Sequence, residues 1–327
     1  MRSEGELEVD GRKLRVSNLQ KVLYPETGFT KGAAIDYYAG IAAVLLPHLR
    51  NRPLTLKRYP DGVEAESFYE KQAPPHRPSW LKTAPVWSET RAGNLDYCLL
   101  NDRPSLVWAA NLAALELHAF LHRAPRITRP DALVFDLDPG APATIVECCQ
   151  VALVLRRLFA AVGLDSFPKT SGSKGLQIYV PLNTATSYEK TKPFASAVAE
   201  RLRETMPARI VTRMQRNLRG GKVFIDWSQN DEHKTTVSVY SLRAKSQPTV
   251  STPVKWNEVQ RCARSADPGS LDFDTVQALQ RVKQFGDLFA PVLTLKQRLP
   301  TLAKLAAVKV VQDAPSGRAT APCSSDS

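Results

Sequence analysis

Leu-Val-Phe-Asp-Leu-Asp-Pro-Gly, at residues 133–140, is the stretch that decides the fold expected for this chain. Its apolar residues are β-prone and Pro139-Gly140 ends the run, so we predict a mostly buried strand. Residues two apart in a strand face the same side, so Asp136 and Asp138 would point together from its end. Two like charges partly removed from water are unfavourable unless a cation neutralises them. The stretch therefore predicts a divalent-cation site, with a solvated or salt-bridged strand end as the alternative.

A third acid interrupts another apolar stretch, Phe224-Ile225-Asp226-Trp227. Acidic residues are rarely buried unless they are paired or bind metal, although a solvated acid on an edge strand explains Asp226 equally well by itself. Together with Asp136 and Asp138 it gives three strand carboxylates. That number is enough to hold two Mg²⁺ or Mn²⁺ ions beside a triphosphate.

The loop Lys-Thr-Ser-Gly-Ser-Lys-Gly, residues 169–175, lies between two predicted strands. Its two glycines allow a sharp turn and a close approach to a ligand, and its hydroxyls, backbone N–H groups and Lys174 could contact phosphate oxygens. It lacks the Walker A pattern. A hairpin loop that uses glycine only for its turn is the alternative interpretation.

Several other side chains are candidates for ligand contacts. The basic residues Lys57, Arg58, Lys234 and Arg243 lie on or beside predicted strands, where they could reach phosphates, although for each alone ordinary surface charge is the favoured interpretation. Phe68 and Tyr69 could stack on bases, with a place in the core as the alternative. We predict His118 on an apolar helix, where a core histidine is the simpler interpretation.

The composition limits the class of protein. The 327 residues carry a formal net charge of +12 with a pI near 9.5, and a basic surface of this size favours a polyanion such as nucleic acid or nucleotide phosphate. No stretch approaches 18 uninterrupted apolar residues and the N-terminus lacks a signal-like apolar region, so we expect neither a membrane span nor secretion. Five cysteines without C-x-x-C spacing indicate a reducing compartment, the cytoplasm.

Local patterns predict interleaved strands and helices, typical of the α+β or mixed α/β class. We predict a hairpin over 4–16 and strands over 53–59, 67–71, 95–100, 222–227 and 235–240. The predicted helices are a short one from Ser17 to before Pro25 and longer ones over 31–46, from Asn101 or Asp102 to about His122, 142–161 and 188–204. Residues 313–327 are predicted to be a disordered tail.

Taken together, the motifs resemble the polymerase domain of bacterial ligase D, a member of the archaeo-eukaryotic primase superfamily. The resemblance is carried by the three stretches above, by Lys-Thr-Thr-Val-Ser-Val-Tyr-Ser-Leu-Arg-Ala at 234–244 and by three earlier motifs, and it covers roughly residues 5–292. It implies an α+β primase-polymerase fold with central antiparallel or mixed sheets flanked by helices. It also implies one domain over 1–312, with an N-terminal α/β part (about 1–130), a catalytic RRM-like part (about 131–292) and C-terminal helices (about 255–310).

The resemblance implies roles for individual residues. Asp136, Asp138 and Asp226 would be the catalytic carboxylates that bind two Mn²⁺ or Mg²⁺ ions. Nucleotide contacts would come from Lys57, His118, Ser171, Gly172, Ser173, Lys174, Gly175, Gln177, Lys234 and Arg243. Lys21 and Lys31 would recognise a DNA 5′-phosphate, and Phe68 and Tyr69 would pack near the nucleotide or template.

The activity implied is addition of NTPs or dNTPs to a primer 3′-hydroxyl at DNA ends or gaps during non-homologous end joining. The resemblance also implies Ku as a partner. A separate DNA ligase would be a second partner, since the sequence contains no Lys-x-Asp-Gly ligase motif. One residue departs from the family pattern, because Gln177 stands where the family has histidine. Glutamine adds no charge, so we predict a weaker grip on the nucleotide phosphates without loss of activity.

Two other functions remain as alternatives from the residues alone. A haloacid-dehalogenase-type phosphatase also begins with a strand that ends Asp-x-Asp, but its motif needs Thr or Val where Gly140 stands. A non-catalytic DNA-end-binding module fits the charge and the loop over 169–175, but it leaves three strand carboxylates unexplained.

Overall fold

The computed structural model describes residues 4–265 and 267–309, so the predicted tail over 313–327 lies outside the described residues. The eight α-helices of this described part are α1 Lys31–Leu49, α2 Arg103–Asn111, α3 Ile145–Ala161, α4 Tyr188–Thr205, α5 Trp256–Ser265, α6 Thr275–Phe285, α7 Pro291–Thr294 and α8 Leu302–Ala307. The first strands are β1 Glu4–Val9, β2 Arg12–Ser17, β3 Val22–Tyr24, β4 Phe29–Thr30, β5 Leu54–Arg58, β6 Phe68–Glu70, β7 Thr83–Ser88, β8 Gly93–Cys98 and β9 Ala114–Phe120. They are followed by β10 His122–Arg123, β11 Arg126–Pro130, β12 Ala132–Pro139, β13 Phe167–Thr170, β14 Leu176–Pro181, β15 Ile210–Val211, β16 Val223–Asp226, β17 Thr235–Val237, β18 Leu242–Ala244 and β19 Pro248–Val250.

Strand β12, which contains the opening sequence, is the central strand of a five-stranded sheet. The strand order is β13-β14-β12-β16-β15, antiparallel except for the parallel pair β15–β16. Helix α3 packs behind this sheet, and Leu133, Phe135 and Leu137 join its core. The predicted central mixed sheet with flanking helices is confirmed.

A second sheet has six strands in the order β17-β9-β5-β8-β7, with β6 added to β5. Its core also contains α1 and α2, together with Ala132 and Val134 from the other face of β12. Because side chains alternate along a strand, Asp136 and Asp138 continue the face of β12 that carries Val134. The two acids therefore point toward the space between the two sheets. Strand β17 joins the second sheet although it comes late in the chain.

Helix α1 is buried in this second core. Thr30 caps it, because its side chain accepts a hydrogen bond from Ala33 N, as predicted. Within residues 4–265 and 267–309, α1 is the one helix whose length and mean hydropathy of 1.2 would suit a membrane span, but half of it is buried in the protein. Core helices of globular proteins have the same composition when they are apolar on several sides.

Two predicted helices are wrong. The segment after Ser17 forms no helix, because Asn18 adopts a positive φ of 52° and leads into strand β3. The helix predicted to reach His122 ends at Asn111, where Ala113 has a φ of 55°, and the chain continues as strand β9. His118 therefore lies on a strand of the second sheet. Because residues two apart share a face of a strand, His118 now lies on the same face as Glu116.

Candidate active site

Four polar side chains form a row across four strands of the first sheet. Asp136 pairs directly with Asp226 of β16 on one side and with Gln177 of β14 on the other. Gln177 in turn pairs with Lys169 of β13. Paired residues in neighbouring strands share a face, so all four side chains lie on the face toward the second sheet. Three of them are more than 90% buried: Lys169, Gln177 and Asp226.

Asp136 lacks the partners that a buried carboxylate normally has. Its Oδ1 is buried without a hydrogen-bond partner, and so is Oε1 of the neighbouring Gln177. Burial raises the pKa of Asp136 to about 7, and the adjacent Asp138 adds to this rise. Burial and Asp226 also raise the pKa of Asp138. Unpartnered buried oxygens beside mutually repelling acids suit a hard divalent cation.

Asp226 is the acid whose side chain is hydrogen-bonded locally. Its Oδ1 accepts from Ser228 N at 3.0 Å and from Ser228 Oγ at 2.5 Å, and its Oδ2 accepts from Gln229 Nε2 at 2.8 Å. In the part of the chain that the structure describes, no three acidic, histidine or cysteine side chains are gathered around one point. The oxygen donor set still fits Mg²⁺ or Mn²⁺, because such ions keep water and substrate phosphates among their ligands.

Lys169 is a site residue that the sequence did not single out. Its side chain is fully buried, and Nζ donates a 2.6 Å hydrogen bond to Ser251 Oγ. Burial lowers the pKa of Lys169 to about 7, while the charge of Asp136 opposes that shift. The usable signal was a lysine inside a short strand directly before the glycine loop. Lys174, the lysine favoured from sequence, is exposed.

The loop over 171–175 is closed on itself and against Arg243. Ser171 Oγ accepts from Ser173 N at 3.2 Å and Gly175 N at 3.1 Å, and Arg243 Nη1 donates to Ser171 O at 2.8 Å. Gly172 has a φ of 66°, and a Cβ there would lie 2.8 Å from Arg243 Cγ. Glycine is therefore required here, because a Cβ at this positive φ would be strained and would also lie 2.7 Å from the backbone carbon of Val250.

A cavity of about 500 Å³ separates the two sheets at this edge. Its walls combine acidic, basic and hydroxyl side chains from predicted positions, including Asp136, Asp138, Ser171, Gln177, Lys234 and Arg243. Three further predicted residues also line it: Tyr69, His118 and Ser173. Lys57 lies beside the cavity, with Nζ 5.2 Å from the ring centre of Tyr69. A mixture of acids and bases of this kind suits a metal-bound polyphosphate.

The predicted DNA contacts have different surroundings. Phe68 and Tyr69 lie on strand β6 with 44% and 58% of their surface exposed, and Arg58 and Lys57 lie over their respective rings at 5.2 Å. Lys21 forms an ion pair with Asp61 at 2.6 Å. Lys31 is buried, and its Nζ donates to Asn111 O at 3.0 Å; burial, followed by the charge of Lys21, lowers its pKa. Of the two lysines, Lys21 is the more accessible.

Glu116 is a second residue that the sequence did not single out. It lies on β9 two positions before His118 and is almost fully buried. Burial alone would raise its pKa, yet the bond from His118, the charge of Arg243 and the bond from Ala244 N hold that pKa well below its usual range. The signal was the alternation of polar and apolar residues over 114–120, which indicates a strand.

A larger cavity, about 980 Å³, lies near Asn183 and Lys296, at the end of β14 away from Gln177. The acids of β12 and β16 do not reach it. The chemistry of the molecule therefore centres on the smaller cavity between the sheets.

This fold and site are those of a nucleotidyltransferase of the primase-polymerase class. The chain belongs to the LigD primase-polymerase domain family, whose sequence model matches residues 30–289. Members of this family are metal-dependent enzymes of non-homologous end joining, so the phosphatase interpretation has no support.

Relatives agree with this assignment. The chain is 41% identical over 306 residues to the multifunctional non-homologous end joining protein LigD of Mycolicibacterium smegmatis, covering 92% of this chain and 38% of the relative. It is 34% identical over 275 residues to the bifunctional LigD protein of Bacillus subtilis, covering 84% and 43%. The chain therefore spans well under half of the length of these relatives.

A solved structure shows the same fold. The polymerase domain from Mycobacterium tuberculosis ligase D, in complex with DNA, matches with a TM-score of 0.79 and 40% sequence identity. The match covers 86% of this chain and 98% of the solved chain. The predicted primase-polymerase fold is confirmed.

Proposed function

We propose that this chain adds NTPs or dNTPs to a primer 3′-hydroxyl at DNA ends or gaps, as part of non-homologous end joining. The observation that carries the proposal is the pairing of Asp136 with Asp226 across β12 and β16, at the edge of a cavity that Asp136, Lys234 and Arg243 line. Acids and bases that meet in one cavity suit a reaction between a hydroxyl and a triphosphate.

Asp136, Asp138 and Asp226 would hold two divalent ions, Mg²⁺ or Mn²⁺. When bound, the ions would neutralise phosphate charge and activate the primer hydroxyl for in-line attack. Arg243, fixed on the carbonyl of Ser171, would contact the incoming phosphates with the loop over 171–175, and Lys57 and Lys174 would add charge. Gln177 would contribute a neutral contact beside Asp136.

DNA would be held on the basic surface around the cavity. The exposed rings of Phe68 and Tyr69 would stack on bases near the nucleotide. Lys21 and Lys31 would contact a 5′-phosphate, which would replace the present partners of their ammonium groups, Asp61 and the carbonyl of Asn111. A phosphate-dominated contact would weaken steeply as salt rises.

At the level of the whole protein, we propose that residues 1–312 act as one polymerase unit in the bacterial cytoplasm, at the nucleoid. Ku would bring it to DNA ends, and a separate DNA ligase or ligase domain would seal the product. The names of the LigD relatives support the end-joining role.

Primer extension tests this function. A gapped, 5′-phosphorylated DNA with Mn²⁺ and NTPs should be extended by the chain, and Asp136→Ala should abolish extension. Asp165→Ala, which changes an exposed acid on another part of the surface, is the matched control and should extend normally. DNA binding without extension by the unaltered chain would favour the non-catalytic end-binding alternative. Extension that survives Asp136→Ala would contradict the metal assignment.

A further inference from the structure

A buried carboxylate joins the cavity residues that come from different elements. Glu116 Oε2 lies 2.9 Å from His118 Nε2, and Oε1 accepts from Tyr59 Oη at 3.2 Å and Ala244 N at 3.1 Å. Arg243 Nε lies 3.3 Å from the same Oε1, close enough for an ion pair although the angle falls short of a hydrogen bond. One side chain thus connects β9, β18 and the residue after β5.

We propose that Glu116 is a positioning residue for nucleotide binding: it fixes His118 and Arg243 in the orientations that the incoming nucleotide meets. This inference rests on the proposed function of the cavity, because both of these side chains line it. Glu116 itself does not line the cavity and would not touch the nucleotide. Its action would pass through the two side chains that it holds.

The charge of Glu116 needs an explanation near a polyphosphate site. A fixed anion repels phosphates, so by itself it would weaken binding in a low-dielectric region. Preorganised side chains, however, cost less free energy to order when a ligand arrives. Glu116 is paired with Arg243, and Arg243 is also held by its hydrogen bond to Ser171 O, so the guanidinium is fixed from two sides. The gain in order offsets the repulsion.

The contact with His118 also sets the proton position on the ring. An ionised carboxylate only accepts hydrogen bonds, so Nε2 of His118 must be the protonated nitrogen. Burial lowers the pKa of His118, which keeps the ring neutral and leaves Nδ1 as an acceptor. In the described part of the chain Nδ1 makes no hydrogen bond, and the ring lines the cavity. Glu116 therefore determines which ring atom is presented there.

The backbone around Glu116 is also held in place. Tyr38 Oη donates to Leu115 O at 2.6 Å and accepts from Leu242 N at 3.1 Å. It thereby clamps the residues directly before Glu116 and Arg243, on β9 and β18. Since this clamp is independent of the carboxylate, the isosteric change Glu116→Gln should leave the two strands in place and alter only the side-chain contacts.

Three measurements on the full chain test the proposal. Glu116→Gln should raise the KM for ATP in Mn²⁺-dependent primer extension by roughly tenfold or more, with a smaller change in kcat. Loss of a residue that orients a metal ligand lowers metal affinity by a comparable factor. Arg243→Lys combined with Glu116→Gln should be less impaired than the product of the single effects. Nitrogen NMR of the imidazoles, assigned with His118→Gln, should show His118 fixed in the Nε2–H form in the unaltered chain, and Glu116→Gln should shift its nitrogen signals because the charged acceptor at Nε2 is lost.

Glu258→Gln is the matched control, because Glu258 forms a similarly buried pair with Arg281 away from the cavity. It should change neither the KM nor the His118 signal. A Glu116→Gln variant with unchanged KM, or with an unchanged His118 signal and fully multiplicative effects, would overturn the proposal. Failure of the unaltered chain to extend a primer or bind ATP would overturn the proposed function, while the NMR measurement would still decide whether Glu116 orients His118.

Discussion

Two kinds of buried carboxylate serve the same cavity: Asp136 lines it, and Glu116 holds two side chains that line it. Asp136, at the centre of the first sheet, has an oxygen without any hydrogen-bond donor and two acids close to it. Glu116, on the second sheet, is surrounded by donors from Tyr59, His118 and Ala244, with Arg243 beside it. The pKa of Asp136 is raised and that of Glu116 is lowered.

The difference distinguishes Asp136, whose oxygens are left open for a ligand, from Glu116, which holds other side chains in place. A carboxylate that the protein leaves unsatisfied costs stability until a cation binds, whereas one that the protein satisfies contributes stability at once. Replacing each of the two carboxylates by its neutral amide should therefore shift the free energy of unfolding in opposite directions. The predictions below use that contrast, from the largest expected effect to the smallest.

Glu116→Gln should lower the free energy of unfolding by about 3 kcal/mol, because the partly buried charge of Arg243 loses its partner. Urea unfolding at neutral pH measures this change. Glu6→Gln, at an exposed pair with Lys13, should stay within about 0.5 kcal/mol of the unaltered chain. Equal effects of the two substitutions would show that Glu116 is not a supporting charge.

Asp136→Asn should raise the metal-free stability by about 2 kcal/mol, because an acid whose folded pKa is above its unfolded value destabilises the folded state when ionised. Urea unfolding at pH 7.5 with a chelator measures the gain. Stabilisation of the unaltered chain by added Mn²⁺ should be largely lost in the variant. A metal-free variant that is less stable than the unaltered chain would contradict the contrast between the two carboxylates.

His122 is a buried side chain whose contribution to the free energy of unfolding depends on pH. It is fully buried, and burial lowers its pKa from 6.5 to about 3, so protonation favours the unfolded state. The stability that it contributes is complete above pH 6.5 and falls by about 1.4 kcal/mol per pH unit below that value, down to the folded pKa. Between pH 7.5 and 5.5, the unaltered chain should therefore lose about 1.4 kcal/mol more than His122→Gln does.

The exposed His76 provides the control for this pH effect. His76→Gln should follow the unaltered chain at both pH values in the same unfolding experiments. Parallel curves for His122→Gln and the unaltered chain would mean that His122 is protonated equally in the folded and unfolded states.

Gln177→His should have the smallest effect. It places a group that can be charged beside Asp136, and it leaves the contacts of Glu116 with His118 and Arg243 unchanged. We expect the nucleotide KM to fall about fivefold, which corresponds to roughly 1 kcal/mol for a charge-assisted contact. The kcat should change little. Gln247→His, at an exposed position, is the control. An unchanged KM would show that the family histidine has no equivalent role in this chain.

The sequence predicted the parts of the site that depend on local pattern. Strand β12 and its two acids followed from an apolar run that a Pro-Gly pair ends, and the glycine loop followed from its composition. The positions of Asp226 and Gln177 beside Asp136 depend on strand pairing over more than forty residues of sequence. Local pattern does not encode that register, so Asp226 was grouped with the two acids by its residue type alone, and Gln177 joined them only through the family resemblance.

Two site residues, Glu116 and Lys169, were missed from the sequence for different physical reasons. Glu116 lies in a segment whose apolar content fits a helix or a strand, and the left-handed conformation of Ala113 resolved the choice in favour of a strand. Lys169 was included in the loop over 169–175 without a role of its own, and lysine is rarely buried. Its burial depends on Ser251, which lies some eighty residues later in the chain. Both outcomes required tertiary contacts.

The row of Lys169, Gln177, Asp136 and Asp226 also constrains how the sheet can assemble. A slip of β16 by one residue would turn Asp226 away from the cavity and into the apolar core that contains Leu137. Burying an unpaired carboxylate there would cost several kcal/mol. Asp226 therefore disfavours the misaligned forms of the sheet, so one of the three acids that we propose bind metal would also help to select the correct strand register during folding.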